Sequence, residues 1–116
     1  MSDWILVYYE TATGQCPFEE YFDSLEPTEA AKVRFDLDLL ETFGIRLGAP
    51  HVKNINGKLW ELRTTGQHQR RVFYFAFSGR RLVILHAFTK KTQKTPKSEI
   101  DLAEKRMKDF LKRMKK

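Results

Sequence analysis

Four lysines, Lys90, Lys91, Lys94 and Lys97, crowd the stretch FTKKTQKTPKSEI (residues 88 to 100), immediately before and inside what reads as the first turn of a helix. Cations there oppose the helix dipole by about 0.3–1 kcal/mol each, whereas the free N–H groups of a helix start favour a phosphate. Strand register adds two arginines. If Phe77 and Leu82 flank the SGRR turn, Arg71 stands opposite Phe88, at the end from which Thr89, Lys90 and Lys91 leave, and across TTGQHQR Arg63 stands opposite Arg71. With neighbouring strands about 5 Å apart, Arg63, Arg71 and the first lysines after Phe88 fall within roughly 10–12 Å along one sheet edge. That is the width of one or two nucleotides, and such a group stabilises charge developing on a phosphate.

Other chemistries lack residues. His51, His68 and His86 are widely separated and Cys16 is far from them, so no metal-ligand spacing appears. The carboxylates concentrate in the N-terminal half, away from the basic edge, which argues against a two-metal nuclease. Walker-type, GxGxxG and GxSxG patterns are missing, and no cofactor is expected. What remains is metal-free phosphoryl chemistry, for which RNA brings its own nucleophile, the 2′-hydroxyl; cleavage leaves a 2′,3′-cyclic phosphate or its opened 3′ form. The proton-transfer group stays open between a crowded lysine of lowered pKa, His68 and His86. His86 shares a strand face with Leu82, Ile84 and Phe88 and reads as core; Glu61, on the same face as Arg63, reads as a charge partner. Trp60 and Tyr74 offer rings for base stacking, although such residues in strands are more often core.

These residues need a scaffold, and the patterning predicts an α+β one. WILVYY (Trp4 to Tyr9) shows no polar alternation and reads as an inner strand buried on both faces. CPFEEYFDSL makes a short helix with Pro17 in its first turn. In PTEAAKVRFDLDLLETFG a stripe of Ala30, Val33, Leu37, Leu40 and Phe43 predicts a longer helix, with Phe35 and Leu39 widening its core face and Gly44 capping it. After a turn-rich link with a very short strand at Val52 to Ile55, LWELR, RVFYFAF and LVILHAF predict three antiparallel strands. Thr95 and Pro96 read as N-cap and N1 of a last amphipathic helix, with Ile100, Ala103, Met107, Phe110 and Met114 in its stripe.

At 116 residues one domain is expected, spanning 1–116. The lone Cys16, the lack of a signal-like start and the lack of an apolar run near 20 residues predict a soluble cytoplasmic protein with no membrane association. The net charge of +6 is uneven: residues 1 to 50 hold 3 Lys/Arg against 10 Asp/Glu, and residues 51 to 116 hold 18 against 5. The second half carries the polyanion signal.

At KLWELRTTGQHQRRVFYFAF and LHAFTKKTQKTPKSEIDLAEKRMKDF the chain resembles the RelE/ParE toxin superfamily, and within it the phage-derived, HigB-like toxins of type II toxin–antitoxin modules. The resemblance implies a small β-α-α-β-β-β-α fold with an antiparallel-dominated sheet. It implies a ribosome-dependent endoribonuclease that cuts mRNA, an mRNA interferase inhibiting translation. It implies a cognate antitoxin, a HigA-like helix-turn-helix protein with which the toxin forms an oligomer. By the same resemblance Arg71 contacts the scissile phosphate, Lys90 or Lys91 is the basic residue after the last strand, and Arg63 and Lys94 complete the catalytic set. Lys53, Lys58, Arg70, Lys97 and Trp60 are expected to contact RNA. RelE's lysine pair and C-terminal tyrosine are replaced here by Leu59, Glu61 and Ile100, so its proposed base does not carry over. The other classes open to this sequence are a ParE-like gyrase poison and a non-catalytic nucleic-acid-binding module.

Overall fold

The structure, a computed structural model, describes residues 4–64 and 68–115. Residues 65–67 of the TTGQHQR connection lie outside the described residues. The elements run β1 (Ile5–Tyr8), α1 (Pro17–Asp23), α2 (Pro27–Phe43), a 3₁₀ turn (Gly44–Arg46), β2 (Val52–Asn56), β3 (Leu59–Thr64), β4 (Gln69–Phe77), β5 (Arg81–Lys90) and α3 (Lys97–Met114). They form the α+β fold that the patterning predicts, with the short strand after the link present as β2. The sheet order is β1-β5-β4-β3-β2; β2 to β5 form an antiparallel meander, and β1 runs parallel to β5.

Both faces of the sheet are covered. On one, Phe18 of α1 and Val33, Leu37 and Leu40 of α2 pack on Leu62, Val72, Tyr74, Leu82 and Ile84. On the other, Ala103 and Phe110 of α3 pack on Leu59, Phe73, Phe75, Val83, Leu85 and Phe88. This double coverage explains why RVFYFAF and LVILHAF are apolar on both strand faces. Each fully buried Leu or Phe stabilises the fold by about 1.5–3 kcal/mol.

Four local expectations are corrected. WILVYY is not an inner strand: β1 is the terminal strand of the sheet, paired with β5 on one side and with no strand beyond it in the sheet order, and Ile5 is 58% exposed. Phe35 does not widen the core face of α2; it is 63% exposed, and Phe43 is 43% exposed. Thr95 is not a side-chain cap. Pro96 takes the N-cap position, Lys97 opens the helix, and the Thr95 hydroxyl donates to Glu61 Oε2 at 3.1 Å. His86 does not share a face with Leu82 and Ile84, because the β4–β5 register shifts between Phe73 and Tyr74. An extra residue in β5 there turns His86 to the α3 side, where it stacks on Phe88.

That same shift preserves the register that matters. Phe77 pairs with Arg81 rather than Leu82, so the turn is one residue shorter than supposed, and the bulge restores the count so that Arg71 faces Phe88. Arg63 faces Arg71 as expected.

Gly44 ends α2 at φ 55° and its N–H is donated to the Leu40 carbonyl. A Cβ there would collide with the Trp4 indole. Gly44→Ala is expected to lower unfolding free energy by about 2–3 kcal/mol, from overpacking and left-handed strain together. Urea denaturation monitored by far-UV circular dichroism checks this; a loss below about 0.5 kcal/mol, the level of an ordinary surface change, would contradict it.

Candidate phosphate-binding cleft

The sheet pleat sends Glu61, Arg63 and Arg71 to the α3 side, at the end where β3 and β5 finish and β4 begins. Glu61 is 1% exposed, and its Oε1 lies 3.5 Å from Arg63 Nε and 3.6 Å from Arg71 Nε. One carboxylate thus stands between two guanidiniums. Its other oxygen accepts the Thr95 hydroxyl, tying the start of α3 to the same point. A carboxylate this deeply buried costs several kcal/mol in lost hydration and persists only when such partners surround it.

Arg71 is itself buried, with Nη1 donating to the Arg70 carbonyl at 3.0 Å and Nη2 to Gln69 Oε1 at 3.0 Å. A guanidinium carries five donors, so N–H capacity remains for a ligand. Although Glu61 Oε1 faces them, the buried Nε atoms of Arg63 and Arg71 form no hydrogen bond among the described residues. Burial depresses the Arg71 pKa, Glu61 opposes that shift and Arg63 reinforces it.

Lys90, the last residue of β5, faces Gln69 across the β4–β5 ladder. Partial desolvation lowers its amine pKa below the ordinary lysine value, with the Arg71, Arg63 and Lys53 charges acting in the same direction and Glu61 against them. Lys53 comes close because it pairs with Glu61 across β2–β3. Arg63, Gln69, Arg71, Lys90, Lys91 and His68 line a single open cleft.

The remaining candidates are dispersed. Lys94 is exposed in the loop before α3, its carbonyl accepting from Thr92. Lys97 is exposed and pairs with Asp101 at 2.9 Å. Lys58 sits in the β2–β3 turn, at the far end of β3, roughly 16 Å along the strand from Arg63. Trp60 lies on the opposite sheet face beside Ile45 and Tyr74. Arg70 is on that face too, not in the cleft: its Nε meets Glu29 Oε1 at 3.4 Å and its Nη1 donates to Tyr21 Oη at 3.0 Å and Thr89 Oγ1 at 2.7 Å. Arg70 therefore braces the residue next to Lys90 from behind. Glu29 and Tyr21, which complete this brace, give no sequence signal: Glu29 looks like an ordinary first-turn acid of α2 yet is buried.

His86 has both ring nitrogens engaged. Arg106 only donates, so Nδ1 accepts at 3.1 Å and Nε2 carries its proton to Glu99 Oε1 at 2.6 Å. Burial lowers its pKa and the Glu99 hydrogen bond works against that. The ring joins β5 to α3 and has no lone pair left for a substrate.

Among the described residues no group of three or more His, Cys, Asp or Glu is placed to hold a metal ion, and no helix is long and apolar enough to cross a membrane.

A five-stranded sheet between helices, with a cationic cleft where its longest strand ends, defines a small α+β protein with two arginines and a lysine gathered at one end of the sheet. More particularly, the chain belongs to the phage-derived Gp49-like family (DUF891), whose model matches residues 20–108. It is a toxin-like family related to the RelE/HigB type. No curated protein matches the chain.

Proposed function

We propose that this protein is the toxin of a toxin–antitoxin pair acting in the cytoplasm, and that it cleaves ribosome-bound mRNA without a metal. The observation that carries the reading is the convergence of Arg63 and Arg71 on one buried carboxylate, with the Lys90 amine beside them. Family membership supports the toxin role and is compatible with an antitoxin partner, which the HigB-like resemblance of the sequence makes a HigA-like protein.

In this reading Arg63 and Arg71 hold the non-bridging oxygens of the scissile phosphate and stabilise the charge that builds there. The 2′-oxygen attacks phosphorus, its proton passes to neutral Lys90, the P–O5′ bond breaks, and the departing 5′-oxygen takes a proton from Lys91. The products are a 2′,3′-cyclic phosphate and a 5′-hydroxyl. The lowered pKa of Lys90 increases the neutral fraction that this step needs. Induction in cells followed by primer extension is expected to reveal new 5′ ends inside translated regions. Growth arrest with intact transcripts and trapped gyrase would overturn the reading.

Lys90→Arg separates proton transfer from charge. Arginine keeps the cation but does not release its proton near neutral pH, so the variant is expected to bind programmed ribosomes normally and cleave about 10²–10⁴-fold more slowly. Wild-type rate should rise with pH up to the Lys90 pKa, which lies below 10.5, and Lys90→Arg should lose that rise. A Lys90→Arg enzyme of near wild-type rate would assign Lys90 a purely electrostatic role.

A further inference from the structure

Phe35 is out of place for a residue on a core helix. α2 buries Val33, Leu37 and Leu40, yet the Phe35 ring is 63% exposed. A single exposed aromatic is common and by itself means little. Its surroundings give it meaning. Phe35 and Asp36 line a cavity with Pro50 and His51, and the cavity's far wall is Arg63, Gln69 and Arg71. Those last three also line the cationic cleft that holds Lys90 and Lys91. The two hollows thus meet at the same three residues, where β3 ends and β4 begins. The Arg63 N–H donates to the His51 carbonyl at 2.8 Å, which fixes the second hollow's wall to the first hollow's arginine.

The two wings differ in chemistry. The Lys90 wing is polar and cationic, whereas the α2 wing is mainly apolar, with the Phe35 ring and the Asp36 carboxylate flanked by His51 and the exposed Lys32. A nucleotide has that same division, an anionic phosphate with a flat base to one side whose faces are apolar. We propose that the α2 wing is a nucleobase subsite: the Phe35 ring stacks on the base adjoining the phosphate held by Arg63 and Arg71, and the Asp36 carboxylate accepts hydrogen bonds from that base's Watson–Crick edge. The inference rests on the ribonuclease reading for its source of RNA.

Chemistry selects the base. Asp36 is half-buried, and desolvation raises its pKa while His51 lowers it, so the group sits where a donor pair would be valuable. Its two oxygens accept two parallel donors best. Guanine presents N1–H and N2–H₂ side by side; adenine and cytosine each present one amino group beside an acceptor, and uracil one imino group between two carbonyls. Guanine is the expected preference, and stacking on Phe35 strengthens binding of every base.

The test uses the full-length protein and trinucleotides with 2′-O-methyl groups, which bind but lack the attacking hydroxyl, differing only in one base. Wild type should bind the guanine-containing member about 10-fold more tightly than the uracil member, in keeping with discrimination by a paired hydrogen bond. Asp36→Asn should erase that ratio, and Phe35→Ala should weaken all members about 5–50-fold. Both positions are accessible enough for the variants to fold, which thermal melts verify. Equal affinity for all bases, or an Asp36→Asn variant with its preference intact, would overturn the subsite. So would a Phe35→Ala variant with wild-type affinities, leaving the ring to a protein partner. Messenger cleavage, run in parallel, is a separate readout: base-selective binding without cleavage removes the ribonuclease reading and leaves the subsite standing.

Discussion

Arg71→Ala is expected to reduce mRNA cleavage on programmed ribosomes by at least about 10²–10³-fold, the usual cost of removing one donor aimed at developing charge. The guanidinium is anchored through Arg70 and Gln69 and faces Glu61, so its position is set before any substrate arrives. Preorganisation of that kind assists the transition state more than the ground state. Ribosome binding should accordingly fall far less than rate, by about one phosphate contact's increment of salt-dependent affinity. Arg71→Lys is the informative companion. It restores a charge without the planar fork, and recovery of less than a tenth of wild-type rate would point to fork geometry as the working property. If Arg71→Ala cleaves as wild type does, the cleft is not the catalytic site. If it loses affinity and rate in equal proportion, the protein is a binder whose chemistry lies elsewhere.

The positions of Arg63 and Arg71 were legible because they depend on hairpins, where short connections tie sequence distance to spatial distance. Even so, the expected pairing of Phe77 with Leu82 was wrong by one residue, and Arg71 reached Phe88 only because the bulge after Ile84 cancels the shorter turn. Alternation placed Glu61 with Arg63 correctly. It left the face of His86 wrong, since the bulge reverses every parity beyond it.

What escaped the sequence lies in non-local packing. β1 meets β5 across most of the chain, and nothing in WILVYY says whether a second neighbour will cover it. Phe35 sits one helical step from the buried stripe, and whether a residue there is core or rim depends on where the end of β3 falls beneath α2. Arg70 and Arg71 look equivalent as neighbours in RRVFYF, yet the pleat sends one to Glu29 and the other to Glu61. Two adjacent arginines therefore have opposite duties: one braces Thr89 from the α2 side, the other faces the cleft.

Glu61→Ala should produce the largest loss of stability of any single change in the cleft. The carboxylate is 1% exposed and faces both Arg63 and Arg71, and its charge also acts on Lys90. Its removal leaves two guanidiniums facing each other across β3 and β4 with no counter-charge between them, and it strands the Thr95 hydroxyl at the start of α3. Breaking a buried ion pair from one side typically costs about 3–5 kcal/mol. For a chain of this length that corresponds to a melting temperature lower by about 10–20 °C. Glu61→Gln should fall between, because the amide still accepts from Thr95 but no longer neutralises charge. A second consequence distinguishes a counter-ion from a mere packing residue. With the carboxylate gone, the arginines should take an external anion instead, so inorganic phosphate should raise the melting temperature of Glu61→Ala more than that of wild type. The double variant Glu61→Ala/Arg71→Ala should lose that extra gain. A Glu61→Ala protein as stable as wild type, or one indifferent to phosphate, would show that the two arginines are held apart by something other than this carboxylate.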